Sequence, residues 1–572
     1  MGVWQKAMVC AWLGAGLTAL APVLPAHDDA TAGPAEQERH AARVLGRLSF
    51  PTNTKSEAAQ EAFIQGMLLL HLFEYPYARE RFLEAQALDP DFAMAYWGEA
   101  MTHNHPIWDV QNLEAGRAAL GKLGATPAAR LARTPVAREQ GLVAALELLY
   151  GRGSKKERDR AYMRAMEQLA ATYPEDHEIQ LFYALSLFGV QAGVRDVPTY
   201  MLCTAIAQGV FSENPEHPGA AHYLIHGVDD PVHAVLGLRA ARALYRMAPD
   251  AGHAQHMTSH IFIAVGLWSD VIAANEAAVR VANEMRVERG HPARAWGHYN
   301  FWLLYGYLQQ GRNSEALALL QGAREQAREF GGPPEDRMEL DPDRSVVGSA
   351  VQMWARYVIE TRDWGGDIAG WQFKSGDAFD PNLTISFIRT LQAANASLAA
   401  RASQFHEQFR ALMSGLEREI ARQDEPAPTD LLYLDRLRVM DRELAAAIAM
   451  ARGDVGAAIA QAQEASRLEG AMLDTTAEDW LDDAAEALAV GERIGEKTLL
   501  IATSTGATLA VALLVLHMPR EQAVTLSFLT LGFAQLWHVF NMRAAGSNVS
   551  TISCSRMSAT RSVTPCAAYS SA

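Results

Sequence analysis

The chain has 572 residues, 49% of them hydrophobic and 20% charged, with a formal net charge of −16. That length exceeds one ordinary hydrophobic core and suits several domains or one long repeat array. The acidic balance, with no basic stripe interleaved with aromatics, excludes nucleic acid as an expected partner.

The N-terminus reads MGVWQKAMVCAWLGAGLTALAPVLPAHDD. Lys6 precedes an apolar run from Ala7 to Leu20, and Val23-Leu24-Pro25-Ala26 has the small-residue character of a cleavage site. Residues 1–26 are therefore expected to be a secretory signal peptide. Residues 27–54 are expected to be a flexible lead-in.

From about 55 to 490 apolar positions recur at three and four, and strand-like alternation is scarce, so the class expected is all-α. The clearest unit is FIQGMLLLHLFEYPYARERFLEAQALDPDFAMAYWGEA. Gly66, Leu69, Ala78, Phe82, Ala85 and Pro90 alternate small and large before a terminating proline, which is the tetratricopeptide (TPR) pattern of a 34-residue helical hairpin. Weaker copies carry Gly266, Trp268, Val271 and Ala278; then Gly311, Ala316, Leu320 and Ala323; then Gly453, Ala458, Ala462 and Ala465. Such hairpins stack into a solenoid whose concave face holds a protein or peptide, and about eight to ten pairs fit the length. Loops are expected at 151–158, 330–345 and 423–429, where Gly, Pro and charge cluster. Cys203, the lone cysteine of this body, reads as a small buried hydrophobe.

Nine of the 18 histidines fall between residues 217 and 298. His222/His226 and His256/His260 are spaced to place two imidazoles each on one helical face, a recurring way to present nitrogen to a metal. His253 and His298 lie close in sequence, and Asp229 or Asp230 offers oxygen or a partner that orients a ring. His71, His103 and His105 could be brought near by the superhelix. The candidate ligands are His222, His226, His253, His256, His260, His298 and Asp230, for zinc, copper, nickel or iron. The same histidines also suit packing in a helical core. No HExxH, CxxC, phosphate loop or dinucleotide fingerprint is present.

HPGAAHYLIHGVDDPVHA, followed by PDAGHAQHMTSHIFIAVGLW, resembles the signature of a family of exported bacterial TPR proteins. YWGEAMTHNHPIW and HYNFWLLYGYLQQGR belong to the same resemblance, which spans roughly 45–470. It implies an exported helical repeat protein on the periplasmic side and supplies no reaction.

After about residue 490 the composition changes. Residues 499–518 carry no charge, a polar PREQ turn follows, and a second apolar stretch of about 20 residues ends at Arg543. A two-helix transmembrane hairpin is expected, associating the chain with the inner membrane through residues 499–542. The run REQAVTLSFLTLGFAQLWHVFNMR resembles the C-terminal transport domain of P-type cation-transporting ATPases over about 495–545. The DKTG and TGE motifs of those enzymes are absent, so cation transport is not expected. Residues 546–572, rich in Ser, Thr and Ala, read as a disordered tail, and the junction as a gene fusion or frameshift. The function expected is thus an exported, membrane-tethered scaffold for a protein or peptide. The alternative is a histidine-rich metal-binding protein or metalloenzyme.

Overall fold

A computed structural model describes residues 43–191, 195–330, 345–423 and 426–472. The expected signal peptide, the membrane hairpin and the tail lie outside these residues. Among the described residues no helix is long and apolar enough to cross a membrane. The described residues divide into two compact units, 43–434 and 435–472.

The larger unit is a TPR-like array of antiparallel helices. In chain order they are α1 (Glu57–His71), α2 (Tyr75–Leu88), α3 (Ala93–Met101), α4 (Leu113–Leu123), α5 (Pro127–Ala132), α6 (Ala137–Leu149), α7 (Lys155–Thr172), α8 (His177–Gly189) and α9 (Val197–Glu213). Then follow α10 (Pro218–Val228), α11 (Ala234–Met247), α12 (Gly252–Ala264), α13 (Trp268–Glu288), α14 (His298–Gln309), α15 (Asn313–Phe330), α16 (Val346–Thr361), α17 (Phe379–Asn395) and α18 (Ala399–Ile420). α19 (Pro428–Ala451) runs across the unit boundary, and α20 (Val455–Met472) belongs to the second unit, where Arg442 reaches Gln461 at 3.3 Å. The sole sheet among the described residues is a two-stranded ribbon, Asn104–His105 against Val110–Gln111, closed around the turn Pro106–Trp108.

The repeat positions behave as their sizes require. The Phe82 ring lies between Gly66 and Gly98, and a Cβ on either glycine would fall within 2.8 Å of it. The weaker repeats are corrected in one respect. Gly266, Gly311 and Gly453 are turn residues with φ of +73°, +69° and +78°, so they serve backbone conformation rather than close helix packing. Five residues after each stands a fully buried packing position, Val271, Ala316 and Ala458. By that spacing Phe73 occupies the same turn position before Ala78, and it too has positive φ, +57°.

Two expected boundaries move. Lys155 opens α7, because Ser154 and Glu157 form a capping box, so the loop ends at 154 instead of 158. Within the expected lead-in, residues 43–54 are packed on the body. Phe50 is buried with its ring edge on Phe63, and Arg43 pairs with Glu288 at 2.9 Å.

The array also curls back on itself. α1 packs on α10, and the guanidinium of Arg289 at the end of α13 pairs with Glu80 on α2. This closure buries α10 completely from Pro218 to Val228 and most of α12. A helix apolar all round belongs in a core, and the histidines ride on these two central helices.

Candidate metal centre

α10 starts where Pro218 fits the first helical position and the His217 ring accepts from the Ala220 N–H at 3.4 Å. One turn apart on it are His222 and His226. α12 starts against the α1–α2 turn, where Glu74 accepts from the His253 N–H at 3.0 Å and faces the positive end of the helix dipole. α14 begins with His298 after Gly297, whose φ is +99°.

These elements sort the predicted histidines into two triads. His222, His226 and His253 form one; His256, His260 and His298 form the other. Within each triad one ligand atom per residue lies within 4.8 Å of the other two. The sequence suggests a single shell around the two i,i+4 pairs. The structure divides α12 instead, giving His253 to the α10 pair and His256 with His260 to His298.

The protons can be placed from the partners. His222 Nδ1 is 2.7 Å from the His71 carbonyl, which can only accept, so Nδ1 carries the hydrogen and Nε2 a lone pair. His256 Nδ1 is 2.8 Å from Asn275 Oδ1, and the Asn275 amide nitrogen donates to the Val271 carbonyl, which fixes the amide's orientation. His260 Nδ1 is 2.7 Å from Asp229 Oδ2. In their neutral forms both rings of the second pair therefore turn a lone pair outward at Nε2, and those two atoms face each other at 3.1 Å. His222 and His226 meet through Nε2 at the same 3.1 Å. Three nitrogens around a tetrahedral zinc lie about 3.3 Å apart, given Zn–N bonds of about 2.0–2.1 Å. The His253 Nε2 is buried without a hydrogen-bond partner.

Burial holds four of these rings neutral. His222 is lowered to about 4, mainly by desolvation, which its bond to the His71 carbonyl only partly offsets. His226, His253 and His256 lie well below the ordinary imidazole value, first through burial and then through neighbouring histidines. Neutral imidazole is the form that ligates.

Aromatic rings enclose both triads. Phe73 touches three imidazoles, with centroids 4.5 Å from His222 and 5.6 Å from His226 and His253. Trp302 stacks on His260 at 4.4 Å, and Tyr299 lies 4.8 Å from His256. A bulky residue in left-handed backbone costs about 1–2 kcal/mol. At Phe73 that cost coincides with the cover of the first triad.

Asp230 is corrected. It belongs to neither triad, because Arg195 pairs with it at 2.7 Å and His233 Nδ1 at 2.9 Å, and both hold it in the α10–α11 turn. Its neighbour Asp229 makes the contact to the histidines. His71 is also elsewhere: Nε2 is 2.7 Å from Glu178 and Nδ1 is 2.9 Å from the Tyr223 hydroxyl. His105 stacks on Tyr75 at 3.9 Å. Cys203 is buried, and burial raises its thiol well above the usual value. Sequence reasoning missed Phe73, Glu74, Asn275 and Glu178. The repeat register could have flagged Phe73, as the bulky residue at a position where later repeats carry glycine.

No protein-family model matches the chain, and no curated protein matches it. Among solved structures it is similar to yeast Tom70, at 12% identity and a TM-score of 0.31, over 78% of this chain and 92% of that one. It is similar also to a monomeric mutant of IFIT1 with Gppp-AAAA, at 12% identity and a TM-score of 0.29, over 81% of this chain and all of that one. At those scores the likeness carries no residue role and no function.

Proposed function

We propose that this chain is a transition-metal-binding protein whose sites are the two histidine triads. One observation carries the reading: His256 and His260 present opposed Nε2 lone pairs at 3.1 Å, with both Nδ1 protons committed to Asn275 and Asp229. Two lone pairs at that distance repel unless a cation lies between them. The third imidazole, His298, makes a metal ion the fitting cation, and nitrogen-only donors suit zinc, copper, nickel or iron. Three protein ligands with an open position are also the arrangement that activates a bound water in catalytic sites.

Elemental analysis of the full chain, purified without a histidine tag and after incubation with zinc or copper salts, tests this. Near-stoichiometric metal that a His256→Ala/His260→Ala variant loses supports the reading. A wild type that takes up neither metal overturns it.

A second reading, a scaffold for a protein or peptide, rests on the repeat architecture and on Val232, Val235 and Leu236. These three apolar side chains are 79%, 63% and 60% exposed on and just before α11. Replacing all three with serine should abolish capture of a partner if the scaffold reading is right. Export through residues 1–26 and tethering through residues 499–542 complete the proposal, and cell fractionation of the full chain tests both.

A further inference from the structure

We propose that the two triads form one dinuclear centre, with paired metal ions close enough to share a small bridging anion such as hydroxide. This rests on the metal-binding reading and goes beyond it by joining what could be two independent sites.

A single helix serves both triads. His253, His256 and His260 fall within about 60° of arc on α12, and His253 and His256 are separated by about 4.5 Å along its axis. α10 also reaches across. It carries His222 and His226 of the first triad, and three residues past His226 comes Asp229, which holds the His260 ring of the second at 2.7 Å.

The bridging anion follows from charge. All six donors are imidazole nitrogens, which ligate uncharged, in an aromatic-lined interior where uncompensated charge is expensive. Asp229 contributes one negative charge from behind His260. Paired dications need more, and a small anion between them supplies it where the two triads adjoin. Paired ions in such centres stand about 3.5–4 Å apart.

The test is copper loading of the tag-free full chain, read by electron paramagnetic resonance with azide as the probe anion. The expected result is two coppers bound per chain with most of the Cu(II) signal missing through magnetic coupling. A His298→Ala variant should bind one copper and show its full signal. Azide should add a charge-transfer band in the wild type at a different energy from the terminal-azide band of the one-copper variant. Two coppers with full signal and no half-field line would mean isolated sites, overturning the dinuclear centre while leaving metal binding intact. A single copper at saturation overturns the pairing too. No copper at all overturns the paired copper centre, and absence of zinc uptake as well removes the metal reading beneath it. The wild-type signal decides these cases even if the variant fails to fold.

Discussion

Two histidine clusters of this fold handle their protons in opposite ways. In the first, Glu178 sits between His71 and His217, accepting from their Nε2 atoms at 2.7 and 3.1 Å. His71 Nδ1 meets the Tyr223 hydroxyl and His217 Nδ1 accepts a backbone N–H. Every nitrogen there has a complementary partner. Burial alone would raise the Glu178 carboxyl, but the two imidazoles outweigh it and hold it well below the usual carboxylate range. In the second, His256 and His260 spend their Nδ1 protons on Asn275 and Asp229 and meet lone pair to lone pair. Both clusters have three-ligand spacing. What separates a packing cluster from a ligand set is therefore the fate of the protons, not the density of histidine.

The largest effect expected from breaking this comparison is at Glu178. Glu178→Ala leaves two buried imidazoles without their acceptor and should destabilise the fold by about 3–5 kcal/mol, measured by urea unfolding. Added zinc should not restore the loss. Restoration would make this cluster a ligand site as well, and the distinction would fail.

Next comes pH. A histidine whose folded pKa lies below its unfolded value stabilises the fold fully above the unfolded pKa, and loses that contribution as pH falls, because the unfolded chain takes up the proton first. For His222 the window runs from about 6.5 down to about 4, worth on the order of 3 kcal/mol. His226, His253 and His256 act in the same direction. Metal-free protein should thus soften steadily across that window in urea titrations at stepped pH. A flat profile would show that these rings are solvated.

Metal addition should give a slightly smaller gain. A ligand at a hundred times its Kd stabilises by about 2.7 kcal/mol. Thermal unfolding should register this in the wild type and in Val232→Ser, which alters an exposed residue, and should register less of it in His298→Ala.

Much of this fold is legible in the chain. Helical periodicity, the small–large pattern around Phe82 and the i,i+4 histidine pairs are local, and local spacing reports them. The division of α12 between two triads is not local. It depends on α10 meeting that helix at His253 and α14 meeting it at His256, contacts between residues far apart in the chain. The contact of His222 with the His71 carbonyl joins residues 151 apart, and spacing carries no trace of it. The exchange of roles between Asp229 and Asp230 is subtler. Adjacent carboxylates at the end of a helix look equivalent in sequence. Arg195, beyond α8, decides which one is consumed in the turn.

Asp229 offers the smallest effect and the sharpest dissection. Its carboxylate can act on His260 in two ways, by fixing the proton on Nδ1 and by adding negative charge behind a ligand. Partners of this kind change metal affinity by about 10–100-fold when removed. Asp229→Asn keeps an acceptor oxygen and loses the charge, whereas Asp229→Ala loses both. Metal affinity by competition with a chelator should fall at least 10-fold in the alanine variant, with a partial fall in the asparagine variant, while the unfolding midpoint of the metal-free protein moves little. Equal losses would assign the whole effect to charge. An asparagine variant matching the wild type would assign it to the tautomer. Unchanged affinity in both would mean that His260 is not a ligand, and the contrast with the Glu178 cluster would then rest on the His222 triad alone.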